Sequence, residues 1–265
     1  MLKTHLLKTC IFLLVIWLFA PSVASAQVET IPTGSKIINM GVMPQTAANG
    51  LKPYGLVYQL LVNKVPVKWV INPNKVKDGI DFVHNGVQYK GSAFIINSSY
   101  LTPAINTLIS QWVAKGVVVN TSVSPFTANV YKTLTIEPRW VIDASQTIIA
   151  RKYFEHAEIP STAWTYKQPS QLNGCDDIFI LPHADANWNQ HKNLYYWNRD
   201  YKGAIWVGCY AATGLENLSG PDIANPANTI KMNFLMKDQT SGPSVAVPFT
   251  KHGAGSPPYI ARNSG

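Results

Sequence analysis

An α/β fold in three layers, a mostly parallel sheet with helices on both faces, is predicted by two patterns in the sequence. Short apolar runs alternate with amphipathic stretches from Ser35 to Asn217. Such alternation makes β-α-β crossovers, which place strands in parallel. Two runs, Asp177 to Pro182 (DIFILP) and Ala204 to Val207 (AIWV), are almost wholly apolar, as strands buried on both faces are.

Ser35 to Val42 reads as the first strand. Gly50 to Asn63 reads as a helix, with Pro53 near its start and Tyr54, Val57, Leu60 and Leu61 at helical spacing. Val65 to Ile71 is the second strand, so the three form a β-α-β unit with parallel pairing. Asn49-Gly50 lacks the glycine pattern of a phosphate loop and reads as an ordinary turn. Asp81 to Tyr89 is a hairpin, because Asn85-Gly86 is a type I′ dipeptide between two alternating runs. Gly91 to Asn97 is a strand. Thr102 can then cap a helix whose first position is Pro103, whose apolar face is Ile105, Leu108, Ile109, Trp112 and Val113, and which Gly116 ends. Trp112 falls on that face and belongs to the core.

Val117 to Val123 is the next strand. Thr127 to Ile142 is extended and rich in β-branched residues, and reads as a β-ribbon insertion beside the hairpin. Gln146 to Glu158 is a helix with Ile149, Tyr153, Phe154 and Ala157 on one side, stopped by Pro160. The DIFILP strand, a polar helix from Asn187 to Asp200 and the AIWV strand complete the alternation. Beyond Asn217 it fades, and Ser241 to Gly265 is rich in Ser, Gly and Pro.

The first 26 residues read as a signal peptide. Lys3 and Lys8 give a basic start, Cys10 to Ala20 an apolar run, and Ala24-Ser25-Ala26 a cleavage site. Cleavage after Ala26 and a secreted or cell-surface location are expected. The apolar run is shorter than the ~20 residues of a membrane span, and no transmembrane segment is expected after cleavage. Residues 27–238 then form one α/β domain and residues 239–265 a tail. The net charge of +8 is scattered along the chain, which argues against a nucleic-acid partner. A small molecule, peptide or glycan is the expected partner.

The chemistry concentrates at Lys202 to Asn217. An apolar strand, Gly208 at a sharp turn, Cys209 and then helix-forming residues make a nucleophile-elbow pattern. Glycine tolerates positive φ there, and a helix N-terminus lowers a thiol pKa. A space-filling buried cysteine and a disulfide are the alternatives. His183 and Asp185 follow the DIFILP strand, with His191 further on. Ligands in open α/β sheets gather at the carboxyl ends of strands. The catalytic candidates are therefore Cys209 as nucleophile, His183 as base and Asp185 as its partner. His191, Gly208, Tyr210 and His252 are the ligand-binding candidates, His252 being the one histidine after the elbow. A loop held by its own hydrogen bonds accounts for His183 and Asp185 equally well. Their spacing matches no strong metal signature, and no metal or cofactor is expected. Asp176 and Asp177 begin a strand, where capping or solvation explains them.

Cys175 and Cys209 are the two cysteines beyond residue 26. The helix between their strands calls for a parallel crossover, which sets them at opposite edges of the sheet. DIFILP would separate them by roughly 20 Å, too far for a disulfide, so two free thiols are expected.

The elbow resembles the class I glutamine amidotransferase-like fold, including the PfpI-type proteins. In that group a cysteine sits at a strand–helix elbow of a flavodoxin-like sheet, which carries over to Cys209. Val207 and Ala211 stand where a G-x-C-x-G elbow has glycine, and Tyr210 where PfpI-type proteins have histidine. The stretches GVMPQTAANGLKPYGLVYQL, WVINPNKVKDGIDF, CDDIFILPHAD and GAIWVGCYAATGLEN resemble the N-terminal region of large, poorly characterised, secreted bacterial surface proteins. That resemblance implies a surface location and further domains, and no established activity. Two readings stay open. One is a cysteine-dependent amide or ester hydrolase. The other is a non-catalytic surface or adhesion module that binds glycan, with Trp188, Tyr195, Tyr196 and Trp197 offering a stacking surface.

Overall fold

The computed structural model describes residues 27–76, 78–145, 147–183, 186–208, 211, 215 and 218–232. It does not form the mostly parallel three-layer sandwich that the alternation predicts. The larger sheet has six strands, and every pairing in it is antiparallel. Its members are β1 (Gln27–Ile31), β2 (Lys36–Ile38), β3 (Val67–Val70), β6 (Phe94–Ile96), β7 (Val119–Thr121) and β8 (Phe126–Leu134). They lie in the order β1-β8-β3-β6-β2-β7.

The helix α1 (Lys52–Val62) does cross from β2 to β3. Yet β6 lies between those two strands, antiparallel to both. In the same way β2 lies between β6 and β7, which α2 (Pro103–Ala114) connects. Two split crossovers thus interlock as a β-α-β-β-α-β unit. A crossover helix fixes that its two strands point the same way, and it leaves open whether another strand slips between them. The stretch read as a ribbon insertion is also corrected. Its first half is β8, which pairs along β3 and β1 and is integral to the sheet.

One face of this sheet is covered by the hairpin β4 (Ile80–His84) and β5 (Val87–Lys90). Its turn has Asn85 at φ 49° and Gly86 at φ 74°, the two positive φ values a type I′ turn needs. Phe82 and Tyr89 stack on each other and pack against Ile31, Ile37, Val70 and Ile95. The opposite face is covered by α1 and α2, through Leu56, Leu60, Ile105, Ile109 and Trp112. The Thr102 side chain accepts from Ile105 N–H and caps α2. Asn49-Gly50 is not an ordinary turn: it belongs to one π-helical turn, Ala47–Leu51, capped by Thr46 and running into α1.

Among the described residues, parallel pairing is confined to a second sheet of four strands: β9 (Trp140–Asp143), β10 (Trp164–Lys167), β11 (Ile178–Leu181) and β12 (Ala204–Val207). Their order is β10-β9-β11-β12. α3 (Thr147–His156) links β9 to β10, and α4 (Trp188–Tyr201) links β11 to β12. α3 packs one face, with Phe154 against Ile142, Trp164 and Ile180. α4 packs the other, with Leu194 and Trp197 against Phe179, Leu181 and Ile205. Ile149 and Tyr153, predicted to face the core from α3, are 43% and 50% exposed.

The two sheets meet through α1, whose Tyr58 joins the α3 side of the parallel sheet together with Leu51. Glu158, just past α3, pairs with Lys52 of α1 at 2.9 Å and with Lys115 beyond α2. The Lys115 and Lys52 ammonium groups hold its carboxyl below the usual carboxylate range. A depressed folded-state pKa stabilises the fold above the ordinary range, and the contribution is lost as pH falls through the folded value. Urea titrations from about pH 6 to about pH 3 should therefore show the wild type losing more stability than Glu158→Gln. Parallel losses would contradict the clasp. Among the described residues no helix is long and apolar enough to cross a membrane.

Candidate active site

Strand order in the parallel sheet sets the place of the site. The chain moves outward from β9 to β10, then returns to the other side of β9 to make β11 and β12. The reversal between β9 and β11 is a topological switch point, and in open α/β sheets ligands gather outside the carboxyl ends of the strands at such a point.

β11 and β12 run in register from Ile178↔Ala204 to Leu181↔Val207. Gly208 N–H donates to Leu181 O at 3.2 Å and prolongs the ladder by one bond. A Cβ on Gly208 would stand 3.0 Å from Pro182 O. The glycine thus serves close approach between strand ends, and its φ is not in the left-handed region. Ala211 and Leu215 are helical and buried, and they pack with Val207, Leu194 and Trp197. Gly208 follows β12 directly, and Ala211 and Leu215 are the helical residues described beyond it. Cys209, Tyr210, Asp185 and His252 lie outside the described residues.

His183, two residues past β11, is exposed at this edge. His191 is in the first turn of α4 and is only 3% exposed. Its Nδ1 accepts from Asn187 N–H at 3.2 Å and lies 3.1 Å from Asn187 O. Burial pushes its pKa down, while the Asn187 backbone and the Asp143 charge pull it up, with burial dominating.

Asp143, a buried carboxylate at the switch point, was not singled out in the sequence. It ends β9 at the switch point, is 1% exposed, and accepts from Ser145 N–H at 2.8 Å and from the Ser145 hydroxyl. The signal was a carboxylate closing the apolar run Trp140-Val141-Ile142. Reading residues 127–142 as a ribbon stopped one residue short of it.

Other candidates resolve into structure. Asp177 makes a bidentate pair with Arg139, and Asp176 pairs with Lys167. These are ion pairs rather than the capping or solvation expected of them. Trp197 is buried and donates to Asn173 O at 2.9 Å. Trp188 lies so close to Gly220 that an added Cβ would be 2.3 Å from its Cδ1. Tyr196 OH donates to Asp222 at 2.8 Å and accepts from Ile223 N–H. Trp188, Tyr195 and Tyr196 are half-buried, and the Tyr195 and Tyr196 rings meet edge to face. Cys175 is free and exposed just before β11, at the amino edge, whereas Gly208 is at the carboxyl edge. A shallow depression of about 360 Å³ lined by Gln45, Thr46, Gly50 and His156 lies at the far end of α3, away from these groups. Among the described residues no three His, Cys, Asp or Glu side chains converge as a metal would need.

No protein-family model, curated protein or solved structure matches this chain. The site is read from its own chemistry.

Proposed function

We propose that this is an exported, secreted or cell-surface protein whose parallel-sheet unit carries out acyl transfer from Cys209 on an amide or ester. The observation that supports it most is the β11–β12 register with the Gly208 bond to Leu181. It sets the strand end that leads to His183 beside the one that leads to Cys209. The elbow's resemblance to class I glutamine amidotransferase-like proteins supports the same chemistry. Residues 1–26 support export.

In this reading the Cys209 thiolate adds to the substrate carbonyl carbon. Backbone N–H groups after Gly208 receive the oxyanion. The amine or alcohol leaves with a proton from the neighbouring base, His183 in the first instance with Asp185 beside it. Water then hydrolyses the thioester, releases the acid and restores the thiol. Of the four aromatic residues on which glycan stacking would rest, Trp197 is buried.

In the processed Cys175→Ser protein Cys209 is the one thiol left. Its alkylation by iodoacetamide at about pH 6 should run at least tenfold faster than that of free cysteine, because an activated thiol has a pKa of about 3.5–7.5. A rate equal to free cysteine would sink the proposal.

A further inference from the structure

We infer that Gln27 becomes the first residue on export and closes into a pyroglutamyl ring, a covalent block at the end of β1. The inference rests on the reading of residues 1–26 as a cleaved leader, and it stands apart from any role of Cys209.

Two observations meet at this residue. First, the cleavage site Ala24-Ser25-Ala26 is followed at once by glutamine. With the leader attached, the Gln27 nitrogen is an amide and inert. With the leader removed it is an α-amine of ordinary pKa, about 7.7–8.0, so its nucleophilic neutral form is present near neutrality. Its own side-chain carboxamide lies within reach of a five-membered ring. Second, the sheet takes up the chain at the same residue. β1 runs from Gln27 to Ile31, and its register on β8 is unbroken from Gln27↔Val130 to Ile31↔Phe126. Ile31 is buried in the cluster under the hairpin, and Glu29 accepts from Lys68 at 2.6 Å. The strand is thus anchored beyond its first residue. Gln27 itself is exposed, so its side chain turns back on its own nitrogen without unpacking the core.

The step balances with no co-reactant. The α-amino nitrogen adds to Cδ, an N–Cδ bond forms and the Cδ–Nε2 bond breaks. The hydrogen shed by the amine leaves with the amide nitrogen as ammonia. The lactam nitrogen keeps one N–H and the Gln27 carbonyl is untouched, so both backbone groups remain for pairing with β8. Sheets tolerate a five-membered ring at the first residue of a strand. β1 is an edge of the larger sheet, and proteolysis concentrates at termini. A peptidase that grips a free α-ammonium finds none on the closed ring, and the strand end also loses one positive charge.

The test exports the full chain from a bacterial host and purifies the mature protein. After several days in neutral buffer its free amines are labelled by reductive methylation. Labelling precedes any digestion, because glutamine peptides released by a protease also cyclise. Mass spectrometry then reads the amino-terminal peptide. The expected peptide starts at Gln27, carries no label on its α-nitrogen and is lighter than the open form by one ammonia. In Gln27→Ser the α-nitrogen should carry the label, because serine has no carboxamide. A wild-type peptide that starts at Gln27 with a labelled α-nitrogen overturns this inference and leaves export standing. An unlabelled Gln27→Ser peptide does the same, since the block would then not be ring closure. A cut at another residue also overturns the inference alone. A chain that keeps residues 1–26 overturns both the inference and the export reading.

Discussion

Asp81→Ala is expected to destabilise the fold by about 3–5 kcal/mol, the cost of leaving one half of a buried ion pair alone. Asp81 sits at a register shift in β4, between Ile80 and Phe82. Bulges re-aim side chains, and this one turns a carboxylate inward at a place where alternation would not. The Asp81 side chain is fully buried and that of Lys75 is 10% exposed, with 2.7 Å between Nζ and Oδ1. Asn72 N–H donates to Oδ1 at 3.0 Å and Ser92 N–H to Oδ2 at 2.8 Å. Asn72 follows β3 and Ser92 precedes β6, so one carboxylate ties the covering hairpin to the sheet at both of its ends. Alanine would leave an ammonium and two backbone donors without their acceptor. Urea unfolding should show a lowered midpoint with an unchanged slope. A change below about 1 kcal/mol, the size of an exposed pair, would show that the clip is not needed.

Gly55→Ala is expected to cost at least about 3 kcal/mol, the upper end of overpacking penalties. An added Cβ would stand 1.8 Å from Ala157 O and 2.5 Å from Trp112 Cη2. Backbone on one side and a buried indole on the other leave it nowhere to go. The residue lies where α1 is pressed between α2 and the chain leaving α3, so relief would mean parting the two sheets. Gly86→Ala is the comparison. Nothing lies within 4 Å of its added Cβ, so its cost is the left-handed strain alone, about 1–2 kcal/mol. Thermal unfolding of the two variants should rank them in that order. Gly55→Ala melting as high as Gly86→Ala would contradict the packing described for α1.

Local chemistry was legible wherever one or two residues decide a conformation. Asn85-Gly86 gave the hairpin turn, and Thr102-Pro103 with Gly116 gave α2 within two residues at its end. The parallel pairing of β11 with β12 was legible too, because a helix and two apolar runs leave little else. Strand neighbours in the larger sheet were not. β2, β6 and β7 are three residues long, and β6 is buried throughout. Runs so short carry no alternation to say which strand lies beside them. Residues 127–142 failed for a related reason: β-branched content marks extended chain but not its partner, and the true break falls between β8 and β9. At the carboxyl edge of the parallel sheet, His183 and Gly208 lie where the sequence places them, just past β11 and β12. Asp143 was lost with the break that precedes its strand.

The central claim is that Cys209 performs acyl transfer at the carboxyl edge of the parallel sheet, and trapping of the acyl-enzyme tests it most directly. The processed protein would be incubated with p-nitrophenyl acetate, quenched in acid, and examined by intact-mass and peptide mass spectrometry. The account predicts one acetyl group on Cys209, formed faster than it is hydrolysed, absent in Cys209→Ser and retained in Cys175→Ser. Acetylation that falls on the exposed Cys175 alone, or no thioester at all in a folded protein, would contradict it.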